Sequence, residues 1–303
     1  MVTAPPAPGA RPRVPPVVLV LVAVVSVQFG GALAATLLPT VGVLGSVTLR
    51  LALAAVILWA LVRPRLRGRS AADWGVVSLF ALALTCMNIA FYGSLTRLPI
   101  GVAVTIEFLG PLALAAALSR RRRDLLAVGA ALVGVLLISE ALTTPWAELD
   151  ITGILLAATA GACWAAYIVL SRRTGARFEG LDGIAICLAL GAVVMLPLGW
   201  ATAGSALVTP EALLLGLGIA LLSSAIPYSL ELLALRHLRS GTFGVLLSLE
   251  PAAAALAGLI VLGQVLALPQ LLGMALVVVA SVLVLGRPTG PGRRRRRNQP
   301  EVV

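Results

Sequence analysis

The chain has 303 residues, 60% of them hydrophobic, with a mean hydropathy of +1.05, well above the apolar share of about 45–50% found in soluble domains. Its formal charge of +11 rests on 23 arginines with no lysine at all; a GxxxxGK[ST] phosphate loop, which needs a lysine, is therefore excluded, and ATP hydrolysis within the chain with it. The arginines lie between apolar runs and read as membrane topology rather than nucleic-acid binding, and Cys86, Cys163 and Cys187 stand singly in apolar stretches without metal-ligand spacing. No metal or cofactor is expected.

Residues 1–16 carry six prolines with Arg11 and Arg13, a composition that cannot build a core and predicts a disordered tail. The apolar run that follows, 17–38, is long enough to span a bilayer and is read as a first span rather than a cleaved signal. Nine more spanning segments follow at 43–62, 74–95, 98–118, 125–142, 151–170, 183–203, 212–235, 240–262 and 269–286. Backbone groups find no partner in lipid, so all ten are expected to be helices. Alternate connections carry 21 of the 23 arginines, leaving only Arg97 on the opposite face and Arg50 inside a span. By the positive-inside rule both termini are cytoplasmic. The Arg293 to Arg297 run then serves topology and attraction to anionic lipid headgroups, not nucleic acid.

One phrase occurs twice. Gly101 to Glu107 (GVAVTIE) overlays Gly244 to Glu250 (GVLLSLE) without a gap, each ending in an acid inside an apolar run. The acidic connector 143–150 divides the chain into five segments on either side, 17–142 and 151–286, followed by a basic tail at 287–303. An odd number of spans per copy makes the second copy enter from the opposite face. The expected fold is thus all-α, ten transmembrane helices as two inverted five-helix repeats, with binding at the repeat interface near the midplane. Glu107 and Glu250 fall about 13–15 Å into their segments, near the middle of a core about 30 Å thick.

An ionised carboxylate there costs at least about 2.5–3.5 kcal/mol, so a buried acid in a span is by default a functional residue, although a protonated one can simply fix helix packing. Pro111 follows Glu107 by four residues and Pro251 follows Glu250 directly; each should kink its helix and free carbonyls for a substrate or cation. Arg50 cannot shed its charge and must pair, with Glu107, with Glu250 or with a substrate carboxylate. Gln28, Asn88, Tyr92, Trp164, Tyr167 and Tyr228 are polar-capable positions within spans that could line a cavity or glue helices. Glu231, five residues before Arg236, reads as a snorkelled carboxylate or surface ion pair, and His237, the sole histidine, as a solvated turn residue.

These residues stand in stretches that resemble a known family. SVQFGGALAATLLPTVG, TLRLAL, MNIAFYGSL, PIGVAVTIEFLGPLA, DITGILLAATAGACWAAYI, IPYSLELLAL and TFGVLLSLEPAAAALAG, in order from about Val25 to Ser281, are similar to the drug/metabolite transporter superfamily in its EamA-domain branch, and most to bacterial threonine/homoserine exporters of the inner membrane. The resemblance implies ten helices in two inverted repeats and export of small amino acids in exchange for protons. By position it puts Gln28, Arg50, Asn88, Glu107, Trp164, Tyr228 and Glu250 in motifs matching the family's. Tyr92 joins them as a substrate-binding candidate, and Glu107 and Glu250 are the candidates for proton coupling. The chief alternative is an exporter of a drug, a nucleoside or a secreted metabolite. An intramembrane enzyme would need a nucleophile with its base, or a metal cluster, and the spans offer neither. A sensor would need a soluble signalling domain, for which the tails are too short.

Overall fold

The computed structural model describes residues 14–119, 122–139, 149–253 and 267–285. Most of both tails, the connector 143–148 and the far half of the ninth segment lie outside these residues, together with the expectations that fall on them. Among the described residues the regular elements are all helical and no strand occurs. In chain order they are α1 (Pro16–Val62), α2 (Ala71–Leu95), α3 (Ile100–Ala117), α4 (Arg122–Ile138), α5 (Ile151–Arg177), α6 (Asp182–Ala203), α7 (Pro210–Ala220), α8 (Ile226–Leu235), α9 (Ser240–Leu247) and α10 (Leu268–Leu285). Among the described residues, five stretches are long and apolar enough to cross a membrane: Thr36–Val62, Ala71–Leu95, Ile151–Arg177, Asp182–Val208 and Pro210–Leu235. Large apolar side chains such as Leu61, Leu79, Leu126, Leu155, Val193 and Leu214 point outward, as lipid-facing surface requires.

The break foreseen after residue 38 is a single reversal inside α1. Gly42 adopts φ 68° and ψ −176°, a conformation open to a residue without Cβ. Gly30 and Arg50, on either side of it, both abut Ser223; along one straight helix they would stand about 30 Å apart. The second limb therefore doubles back on the first. Segment eight is also interrupted, by a π-helical turn at Leu221–Ala225 between α7 and α8.

Helix ends are fixed by short polar signals. Ser70 and Asp73 form a reciprocal capping box on α2, and Asp150 caps α5 by accepting from the Gly153 N–H at 2.8 Å. That hydrogen bond, with the 3.1 Å ion pair to Arg97, holds the Asp150 carboxyl below its ordinary range. At the other end of α2, Asp73 meets Arg177 at 2.9 Å, while Arg69 meets Asp182 at 3.0 Å and its guanidinium lies over the Phe178 ring. A cluster of ion pairs at one end of α2 and the single Arg97–Asp150 pair at the other thus fasten α2 to α5 and the adjoining loops.

The helices that carry the site touch backbone to backbone. A Cβ on Gly110 of α3 would sit 1.9 Å from the Gly161 carbonyl oxygen of α5, and one on Gly161 would sit 2.6 Å from the Glu107 carbonyl oxygen. Only glycine permits that approach. Gly110→Ala should therefore lower the thermal unfolding midpoint of the detergent-solubilised protein, at the about 1–3 kcal/mol scale of overpacking. Gly129→Ala, with nothing within 4 Å of its Cβ, should not.

Candidate functional site

A cavity of about 590 Å³ lies between both limbs of α1, α2, α3, α5, α8 and the helical residues 249–253, within the size range of small-molecule sites. Every substrate-site candidate named from the sequence lines it: Gln28, Arg50, Asn88, Tyr92, Glu107, Trp164, Tyr228 and Glu250. The remaining wall is mostly apolar and aromatic, with Phe108 set edge-on to Trp164 at 4.8 Å between ring centroids. Met87, Phe91 and Leu38 also belong to it.

Arg50 is the centre of the polar part. It is 8% exposed, and among the described residues it forms no ion pair, so neither Glu107 nor Glu250 is its structural partner. Neutral oxygens hold it instead. Nε donates to Ser224 Oγ at 2.7 Å, Nη2 donates to Tyr228 Oη at 2.8 Å and to the Ser223 carbonyl, and Nη1 donates to Tyr92 Oη at 3.3 Å. The guanidinium also lies 5.5 Å from the Tyr228 ring centroid and 5.9 Å from that of Tyr92, close enough for cation–π attraction. Of the five N–H groups of a guanidinium, one, on Nη1, has no acceptor among the described residues.

The Ser223 carbonyl is available for a local reason. Pro227 has no N–H, so the carbonyls four and five residues before it, Ser223 and Leu222, lack a helical donor, and the π turn at Leu221–Ala225 turns them out of the ladder. Arg50 donates to the first and Ser26 Oγ to the second, at 2.7 Å. A cation thus takes a carbonyl freed by proline, as foreseen, but at Pro227 rather than beside either expected glutamate. The carbonyl that Pro111 frees is that of Glu107 itself, and it is spent on the close crossing with Gly161.

Glu107 is 7% exposed and Glu250 half-buried. Both line the cavity, and neither carboxyl has a hydrogen-bond donor among the described residues. Glu231 corrects the sequence reading. It is 4% exposed, lines the same cavity and accepts a hydrogen bond from Tyr167 Oη at 2.8 Å, whereas Arg236 turns away to the Phe178 and Gly180 carbonyls. Its place near the end of segment eight suggested a surface pair; on α8 it faces α5 instead, where Tyr167 supplies its donor. His237 is exposed in the turn after α8. Ser223 and Ser224 carried no sequence signal, being small residues in an apolar run, although Pro227 four residues later pointed at their backbone.

Comparison with known proteins follows the same lines. The model of the EamA-like transporter family matches residues 151–286. The chain is 42% identical over 279 residues to the threonine/homoserine exporter RhtA of Escherichia coli strain K12, an alignment covering 91% of this chain and 94% of the relative. RhtA of Salmonella typhimurium strain LT2 matches with the same identity and coverage. The uncharacterized transporter YwfM of Bacillus subtilis strain 168 is 26% identical over 223 residues, 71% of this chain and 74% of its own. One protein crystal structure overlays with a TM-score of 0.72 at 19% identity, over 88% of this chain and 95% of that one, a likeness of fold alone.

Hydrogen bonds to a charged group contribute about 1.5–3 kcal/mol. Tyr228 Oη also accepts from Asn88 Nδ2 at 3.2 Å, so Tyr228→Phe should depress the thermal midpoint in detergent more than Tyr92→Phe, whose bond is the longer one. Equal losses would contradict the hydrogen-bond hierarchy around Arg50.

Proposed function

We propose that this chain, which belongs to the EamA-like transporter family of the drug/metabolite transporter superfamily, exports small amino acids such as threonine and homoserine across the bacterial cytoplasmic membrane in exchange for protons. The observation that carries the reading is one cavity in which, among the described residues, the Arg50 guanidinium has no counter-ion and the Glu107 and Glu250 carboxyls have no donors. An α-amino acid supplies the opposite of each. Its carboxylate meets the unclaimed N–H of Arg50, and its ammonium meets Glu107 or Glu250. A carboxyl in an apolar wall is stable carrying a proton or facing a cation, and alternation between the two is what proton exchange needs.

The architecture we infer is ten spans in two inverted five-helix repeats, 17–142 and 151–286, joined by the connector 143–150 and flanked by cytoplasmic tails at 1–16 and 287–303. Packing supports it. The second limb of α1 packs on α6, where Thr48 meets Gly199, and α3 packs on α9 and α4 on α10, each segment against its counterpart in the other half, while α2 with α5 mirrors the first limb of α1 with α7 and the π turn, where Leu33 meets Gly218 and Gly30 meets Ser223. Arg65, Arg69 and Arg177 gather at one end with Glu179, Asp182 and Asp73, and Arg97 meets Asp150 at the other, in keeping with an arginine-rich cytoplasmic face that also attracts anionic lipid.

The test is efflux of radiolabelled threonine and homoserine from proteoliposomes with and without an imposed proton gradient. Gradient-driven efflux is expected from the wild type. Glu107→Gln and Glu250→Gln should both reduce it, to different extents, because Glu107 is the more deeply buried of the two. Wild-type rates with unchanged pH dependence in both variants would refute the coupling role, and absence of efflux from inserted wild-type protein would favour a drug, nucleoside or other metabolite as the cargo. A reporter fused after Val303 should read cytoplasmic and one at Thr143 should not; a cytoplasmic signal at Thr143 would overturn the five-plus-five division.

A further inference from the structure

The hydrogen-bond inventory beside Arg50 leaves two complementary vacancies. Asn88, on α2, is 3% exposed and lines the cavity. Its amide nitrogen donates to the Leu84 carbonyl at 2.8 Å and to Tyr228 Oη at 3.2 Å, so both of its N–H groups are committed. The orientation of the amide is forced, because an oxygen in the place of that nitrogen would face the Leu84 carbonyl. What Asn88 has left is Oδ1, an acceptor with no donor among the described residues. Tyr228 is in the converse position. Its oxygen accepts from Arg50 Nη2 at 2.8 Å and from Asn88, which occupies both lone pairs, and no acceptor among the described residues takes its hydrogen. The pair therefore offers one acceptor and one donor, side by side, a short reach from the guanidinium.

We infer that Asn88 and Tyr228 form a hydroxyl-reading subsite that selects amino acids carrying a side-chain alcohol, a role that rests on the amino-acid reading of the same cavity. An alcohol is the simplest group that satisfies both vacancies with one atom, donating to Asn88 Oδ1 and accepting from Tyr228 Oη. An ammonium has no lone pair for Tyr228 and a carboxylate no hydrogen for Asn88. A methyl in that place displaces solvent and leaves both groups unpaired, a penalty that discriminates far more sharply than a difference in size. Geometry ties the subsite to the carboxylate clamp, since Arg50 and Asn88 bond the same Tyr228 oxygen. One small amino acid can thus bridge the guanidinium and Asn88, and its β- or γ-carbon fixes where the hydroxyl falls.

The experiment is competition against labelled threonine on the full-length protein in proteoliposomes, using pairs of matched shape: valine against threonine, and norvaline against homoserine. The wild type should prefer each alcohol over its hydrocarbon partner by at least about tenfold. In Asn88→Leu, assayed directly with labelled valine as well as threonine, the preference should collapse toward unity while valine is still bound. A wild type that binds threonine and valine equally overturns the subsite and leaves the amino-acid reading standing. Retention of the full preference in Asn88→Leu also overturns it. If the wild type binds none of the four amino acids, the reading of the cavity falls and the subsite with it. The wild-type comparison needs no variant to fold, so the inference can fail on it alone.

Discussion

A permanent positive charge held away from water by neutral oxygens is the constraint on which the rest of this structure depends. Arg50 cannot neutralise itself, and burying an unpaired ion in a low-dielectric interior is among the costliest steps available to a protein. The chain meets that cost with dipoles: two tyrosine hydroxyls, a serine hydroxyl and a carbonyl that proline has released from its helix. Meeting it with a carboxylate would have closed the site. Because the compensation is partial, the charge remains able to attract an anion.

That arrangement explains why segment eight is not a plain helix. The π turn and Pro227 weaken the ladder between α7 and α8, yet the carbonyls they release are taken up by Ser26 and Arg50 from the two limbs of α1. Local imperfection in one segment thus becomes tertiary linkage to another. Pro111 shows the opposite use of the same chemistry: the freed carbonyl of Glu107 abuts Gly161, and what would have been a ligand becomes part of a helix crossing.

Much of the site was legible because charge and repetition are loud in an apolar sequence. Arg50, Glu107 and Glu250 stand out against hydrocarbon, and the repeated GVxxxxE phrase set two of them in register; Asn88, Tyr92, Trp164 and Tyr228 could be picked as polar-capable residues in spans, and all of them reach the cavity. Other features were silent. Ser223 and Ser224 act through position, one by its backbone carbonyl and the other by its hydroxyl, and nothing in a run of small residues marks which of them faces a cation. Glu231 was misread because its nearness to Arg236 suggested a local pair, whereas the direction of a helix after a π turn depends on tertiary geometry. The partner of Arg50 was left open by sequence for a similar reason: charge complementarity favoured an acid, and the neutral oxygens that won belong to a distant segment.

The reversal at Gly42 bears on how the protein is made. With one residue of non-helical backbone between its limbs, α1 has no polar loop that could be delivered across the membrane ahead of the helix that follows. In the ten-span architecture proposed above, so short a link favours entry of the two limbs together, as a hairpin. Arg50 is then synthesised well before Ser223, Ser224 and Tyr228 of segment eight exist to receive it.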